Sequence, residues 1–256
     1  MAILECPNKH TARLQIWAEL TRFRHPPLTR VLLMPGATRY ELDLVFAKGY
    51  KFESSVFLVE YNPAVWANLT RRSVGKSMPP KENQLHMLLS EAGIELVRRG
   101  IHLDVVHLDF CSNVEGHRLM TTELLKFLKS GVMAAESLIA ISWLKGREHY
   151  LRDIEADGHT IGLSGGHQSD AGQGFLRMSV ADRGRVYPVH KAFYEALGVE
   201  IGVVKFGSYQ NTRTRNPMLW AIFHLKQQPK PEAVTTAMRS LTKTWIPPQE
   251  RATSKP

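Results

Sequence analysis

Two cysteines, Cys6 and Cys111, are all the thiol chemistry in this 256-residue chain. Two cannot build a disulfide framework, and without a CxxC pair there is no zinc-ribbon or dithiol redox motif. Cys6 and His10 have a spacing a metal could use, but with no further ligand nearby they read as bystanders, and no metal site is expected. Long apolar runs are also missing. The best candidate, Val132 to Leu144, is interrupted by Glu136, Ser137 and Ser142, and falls short of the roughly 20 apolar residues that cross a bilayer. No membrane partner is expected. Met1 to His10 lacks the basic start, apolar middle and small-residue cleavage site of a secretory signal, so the expected location is cytoplasmic. Neither the GxGxxG turn of dinucleotide-binding folds nor the GxxxxGK[ST] phosphate loop occurs, which argues against a dinucleotide cofactor and against P-loop ATP hydrolysis.

What is present is enough apolar material, 43% of residues, for one sizeable core. Thirty-three Lys and Arg against twenty-four Asp and Glu leave a formal charge of +9. The summed field attracts polyanions, which raises the weight of a nucleic-acid partner, RNA or DNA.

Along the chain, Thr11 to Phe23 reads as a helix with Leu14, Trp17, Ala18 and Thr21 on its partly apolar face, stopped by Pro26-Pro27. Strand and helix signals then alternate, the mark of a mostly parallel α/β sheet covered by helices on both faces. Val31 to Met34 is a strand, Pro35 to Thr38 its turn, and Tyr40 to Lys48 a helix closed by Gly49. Ser55 to Glu60 is a second strand. Asn62 then caps a helix with Pro63 in its first turn, where a missing N–H costs nothing. Lys81 to Arg99 reads as an amphipathic helix through Leu85, Leu88, Leu89, Ala92 and Leu96. Leu103 to Phe110 is a strand, Gly116 to Lys129 a helix and Ser137 to Trp143 another strand. Val199 to Phe206 and Met218 to Leu225 form a closing antiparallel hairpin. Gly158 to Arg185 is glycine-rich and without apolar period, a long functional loop by expectation.

In an open parallel sheet, ligands bind beyond the carboxyl ends of the strands, where strand order reverses. Gly36 follows the first strand, where a missing side chain lets backbone approach a ligand. Glu60 ends the second strand, 24 positions later, near the spacing at which a carboxylate accepts hydrogen bonds from a ribose diol. An adenosine-type ligand without a pyrophosphate fits this pair. Asp109, ending a later strand, reads either as a site residue or as an Asx-turn cap of the following segment. Lys205, Arg213 and Arg215 make a basic hairpin suited to phosphates.

Val31-Leu32-Leu33-Met34-Pro35-Gly36, Val59-Glu60-Tyr61-Asn62-Pro63 and Leu108-Asp109-Phe110-Cys111-Ser112, with the closing hairpin, resemble the first, second and fourth motifs of the class I S-adenosylmethionine-dependent methyltransferases. The resemblance covers roughly residues 30 to 226 of the chain. It implies a Rossmann-like domain at 30–226 with an inserted loop at 158–187, behind an N-terminal helical cap at 1–29 and ahead of a tail at 227–256. It implies S-adenosylmethionine as cofactor, with Gly36, Ala37 and Thr38 holding its methionine part and Glu60 its ribose hydroxyls. Asn62, Asp109 and Phe110 complete the implied cofactor-binding set, and Asp109, facing substrate, is the implied catalytic residue. Pro35 stands where the family usually has an acidic residue, and Thr38 where it has a second glycine. Were Leu103 to Phe110 the third strand rather than the fourth, Asp109 would instead touch adenine. The expected function is methyl transfer to a nucleic acid; the alternative is a non-catalytic binding or structural protein on the same fold.

Overall fold

The computed structural model describes residues 7–23, 25–36, 38–110, 118–144, 202–210 and 217–225. The chain opens with α1 (Pro7–Phe23), then β1 (Val31–Leu33), α2 (Tyr40–Ala47), the single turn α3 (Phe52–Ser55) and β2 (Val56–Val59). After α4 (Pro63–Arg72) come β3 (Gln84–Leu85), α5 (Leu89–Arg98), β4 (Leu103–Asp109), α6 (Arg118–Lys129), β5 (Met133–Leu144), β6 (Gly202–Gln210) and β7 (Pro217–Leu225). Seven strands form one sheet in the order β3-β2-β1-β4-β5-β7-β6. The first five are parallel, and β7 runs antiparallel to both β5 and β6. This is the mostly parallel α/β sheet with a closing antiparallel pair that the strand signals anticipated.

The central strands are apolar in succession because both sheet faces are covered. Val31, Leu33, Val56, Leu58 and Val105 pack with Trp17 and Leu20 of α1 and Leu42 and Val45 of α2. The alternate residues, Leu32, Phe57, Val106 and Leu108, pack with Leu89 and Leu96 of α5 and Leu124, Phe127 and Leu128 of α6. Each such fully buried side chain contributes roughly 1.5–3 kcal/mol, so no strand could slip by one residue without burying the wrong set.

Two sequence expectations are corrected. Lys81 to Arg99 is not one helix: Gln84 and Leu85 pair with Leu58 and Val59 as a short strand, and the helix begins only at Leu89. Leu85 fits a helical stripe in sequence, yet the open edge of β2 claims its backbone, with Glu60 N–H donating to Leu85 C=O at 3.1 Å. In α1 the buried face is Ala12, Arg13, Ile16, Trp17 and Leu20, while Leu14 is exposed. A charged residue on the buried side is what blurred the helical pattern.

The α1 helix lies along β6 and against the sheet. Asn8 Nδ2 donates to the Gln210 carbonyl at 2.9 Å, and Lys205 Nζ meets Glu19 Oε1 at 2.6 Å. Eleven helical steps and five strand steps span the same distance, about 16 Å, so the two elements run antiparallel in step. On the face of β6 that α1 covers, Gly207 leaves room for Trp220: a Cβ there would lie 2.5 Å from the indole ring. Gly207→Ala is expected to lose about 1–3 kcal/mol of stability through overpacking, measured by urea denaturation; an unchanged midpoint would refute this account of the packing.

Candidate functional site

Strand order reverses between β1 and β4, which flank one another although they are far apart in sequence. Leu33 is in register with Leu58 on one side and His107 on the other. Gly36, Glu60 and Asp109 therefore lie two or three residues beyond a common rung, at the carboxyl ends of three adjacent strands. Gly36 has φ of +65°, a left-handed conformation that favours glycine, and its Cβ position faces open space. Met34 N–H still bonds the His107 carbonyl at 3.1 Å, so the chain leaves the sheet only at Pro35-Gly36. The loop is tied down at its far end, where Arg39 Nε meets Asp43 Oδ1 at 2.7 Å and its NH2 group donates to the Ser77 carbonyl at 2.5 Å. Thr38 is partly buried, and Ala37 lies outside the described residues.

Glu60 is half-buried at the end of β2, and its Oε1 accepts the Asn62 N–H at 2.8 Å. Burial raises its pKa above the ordinary carboxylate range, against the lowering effect of the Asn62 and Tyr61 backbone N–H groups. Asn62 caps α4 as anticipated, its Oδ1 accepting from Ala64 N at 3.0 Å and Val65 N at 3.4 Å. Tyr61, between them, is 61% exposed.

Asp109 has a different environment. Its Oδ2 receives Lys9 Nζ at 2.6 Å and Arg13 NH2 at 2.8 Å, both from α1. Burial alone would raise its pKa, but Lys9, Arg13 and His107 overcome that and hold the carboxyl well below the usual range. One layer deeper, Glu41 of α2 is fully buried, bonded to His107 Nδ1 and to Trp17 Nε1 (3.2 Å), with Arg13 NH2 at 3.9 Å. Burial pushes Glu41 up; His107 and Arg13 bring it below the ordinary value. At the mouth of this network Tyr40 Oη and His10 Nε2 are 2.7 Å apart. None of Lys9, Arg13, Glu41 and His107 was reached from the sequence. The only trace was an arginine beside apolar residues in α1 and a histidine inside an apolar strand.

Because β3 is Gln84–Leu85, the strand ending in Asp109 is the fourth. Asp109 is therefore the last residue of the fourth strand, not of the third. The following Phe110 continues the sheet with its N–H on the Ser142 carbonyl at 2.9 Å, and packs against the α5–α6 face. Lys205 is exposed on β6 but ion-paired to Glu19. Arg213, Arg215 and the 158–187 loop lie outside the described residues.

No family profile and no curated protein sequence matches this chain. Among solved structures, SMU.776 complexed with SAH shares 11% identity with a TM-score of 0.49, over 85% of this chain and 49% of that one. An S-adenosylmethionine-dependent methyltransferase from Agrobacterium tumefaciens shares 12%, with a TM-score of 0.48, over 88% and 63% of the two chains. The N-methyltransferase NodS from Bradyrhizobium japonicum, in complex with S-adenosyl-L-homocysteine, shares 9% with a TM-score of 0.48, over 87% and 90%. The chain thus spans about half the length of SMU.776. Its own strand order decides the architecture. The fold is a mostly parallel, Rossmann-like α/β sheet with a closing antiparallel pair.

Removing Arg13 would leave Glu41 and Asp109 buried with less compensation, so Arg13→Met is expected to cost about 3–5 kcal/mol, read from chemical denaturation. The acid dependence has a defined sign. A carboxyl with a depressed folded-state pKa contributes stability that is present above its unfolded value, about 3.9, and is lost as pH falls through and below it. Lys9→Met weakens that depression, so its stability should fall less steeply than wild type on acidification below about pH 4. Equal slopes for the two proteins would contradict the ion pair.

Proposed function

We propose that this protein transfers a methyl group from S-adenosylmethionine to a nucleic acid. The observation that carries the reading is the convergence of Gly36, Glu60 and Asp109 on one rim at the switch point of the sheet. The residues fit the cofactor. Gly36 leaves open space beside a bare backbone turn, Glu60 offers a half-buried carboxylate to a ribose diol, and no pyrophosphate cradle is needed. We assign Thr38, Asn62 and Phe110 to the same cofactor site, together with Ala37, which lies outside the described residues. Bound there, S-adenosylmethionine supplies a methyl group on an electrophilic sulfonium.

The protein's own task is then to orient the acceptor and exclude water. Asp109, held ionised by two cations, is an acceptor of hydrogen bonds and a poor sink for protons. We assign it acceptor alignment: it takes a hydrogen bond from a donor on the acceptor group, and the proton that group sheds on methylation goes to water. The +9 charge supports a polyanionic partner. Arg213 and Arg215 stand in sequence between Gln210 and Pro217, the register partners that end β6 and β7 at the same rim, and we assign them phosphate contacts. Lys205, committed to Glu19, is assigned a lesser share.

The test of the pocket is a thermal or chemical denaturation shift. S-adenosylhomocysteine at a hundred times its dissociation constant should add about 2.7 kcal/mol of stability. Glu60→Ala should lose most of that gain, and acidification through the raised Glu60 pKa should weaken binding. No shift at millimolar ligand would favour the non-catalytic alternative. For the partner, affinity for RNA or DNA should fall with salt, and replacing both Arg213 and Arg215 by Ala should reduce the log–log slope by about 2. A salt-independent affinity would rule out phosphate contacts.

A further inference from the structure

Asp109 is gripped through one oxygen only. Lys9 and Arg13, one helical turn apart on α1, both reach Oδ2. The other oxygen, Oδ1, is buried and accepts no hydrogen bond within the described residues, although the side chain as a whole is only 5% exposed. A buried carboxylate oxygen without a donor is costly, and such atoms call for a reason. Arg13 is itself placed: Glu41 Oε2 lies 3.9 Å from its guanidinium, and Glu41 is anchored by Trp17 and by His107. His107 precedes Asp109 by two residues on β4, so both side chains leave the same face of the sheet. Lys9 and Arg13 on α1, Glu41 on α2 and His107 on β4 are thus the charged and titratable groups gathered about Asp109 on that face, with Tyr40 and His10 beside Arg13.

We propose that Lys9 and Arg13 are positioning residues which, by holding Asp109 through Oδ2, reserve Oδ1 for a hydrogen-bond donor on the methyl acceptor, with the Glu41–His107 pair bracing Arg13. The proposal rests on the reading of this rim as a methyl-transfer site. It makes α1 part of that site: two of its residues set the orientation of a group on the fourth strand. An unpinned carboxylate would rotate between its two oxygens and between rotamers, and misplacement by about 1 Å at a reacting centre costs on the order of a hundredfold in rate.

The experiment compares the full-length wild type with Arg13→Lys, Arg13→Met and Lys9→Met. Three quantities are read: calorimetric affinity for S-adenosylhomocysteine, kcat and KM for incorporation of labelled methyl into bulk RNA and DNA, and the carbon-13 titration of the Asp109 carboxyl, assigned with Asp109→Asn. In Arg13→Met and Lys9→Met, kcat should fall about tenfold to a hundredfold while cofactor affinity and nucleic-acid KM stay within about twofold. The Asp109 carboxyl should titrate at higher pH in both, and Arg13→Lys should recover most of the kcat. Unchanged kcat, with or without a moved titration, overturns the proposal. Should wild type bind S-adenosylhomocysteine but methylate neither nucleic acid, the acceptor assignment fails on its own. Should it not bind, the cofactor assignment fails. In either case an Asp109 titration unchanged in both variants overturns the positioning role, and a raised one supports it. If Arg13→Met does not fold, Lys9→Met carries the test, because that side chain is 20% exposed and its loss leaves Arg13 in place.

Discussion

Asp109 and Glu41 are two carboxylates taken out of water on the same face of the sheet, and neither tolerates burial without a cation or a donor close by. Arg13 answers both at once, Lys9 shares Asp109, and His107 with Trp17 answers Glu41. This requirement ties three elements that hydrophobic burial alone would leave free to slide: α1, the start of α2 and the end of β4. The apolar residues around it, Ile16, Trp17, Leu20, Leu42 and Val45, specify which face is covered. The ion pairs specify how far along that face the helix sits. The step-for-step match of α1 with β6, from Asn8 at Gln210 to Glu19 at Lys205, follows from the same placement.

The rim carries two acidic groups with opposed environments. Glu60 is half-buried, accepts backbone N–H groups from Asn62 and Tyr61, and is pushed toward the neutral form. Asp109 is enclosed more completely yet is driven the other way by cations. Environment, not residue type, sets the two carboxyls apart: the same kind of group is favoured neutral at one position and ionised at the other.

Much of the architecture was legible from residues. The apolar successions in β1, β2 and β4 marked strands covered on both sides, and Asn62-Pro63 marked the start of α4 through a cap whose hydrogen bonds the structure shows. The failures have physical causes. Leu85 satisfies a helical period and a strand pairing equally well, and the open edge of β2 decided between them. In α1, periodicity assigned Leu14 to the inner face because it expects apolar residues there, whereas Arg13 is buried on account of its charge. Gly36 and Glu60 could be read as rim residues because each follows a strand directly. Lys9, Arg13 and Glu41 could not, since nothing in local pattern links residue 9 to residue 109.

The order of strands and helices, the covered sheet and the positions of the turn glycine and the two rim carboxylates were set by local preference and apolar period, which act over a few residues and are written in the chain. Which strand stands beside which, which face of α1 is inward and which charges meet inside the protein were decided only on folding. Those outcomes depend on the cost of isolating a charge from water and on the hydrogen-bonding demand of a sheet edge. Both arise between segments distant in sequence and have no value until the segments touch.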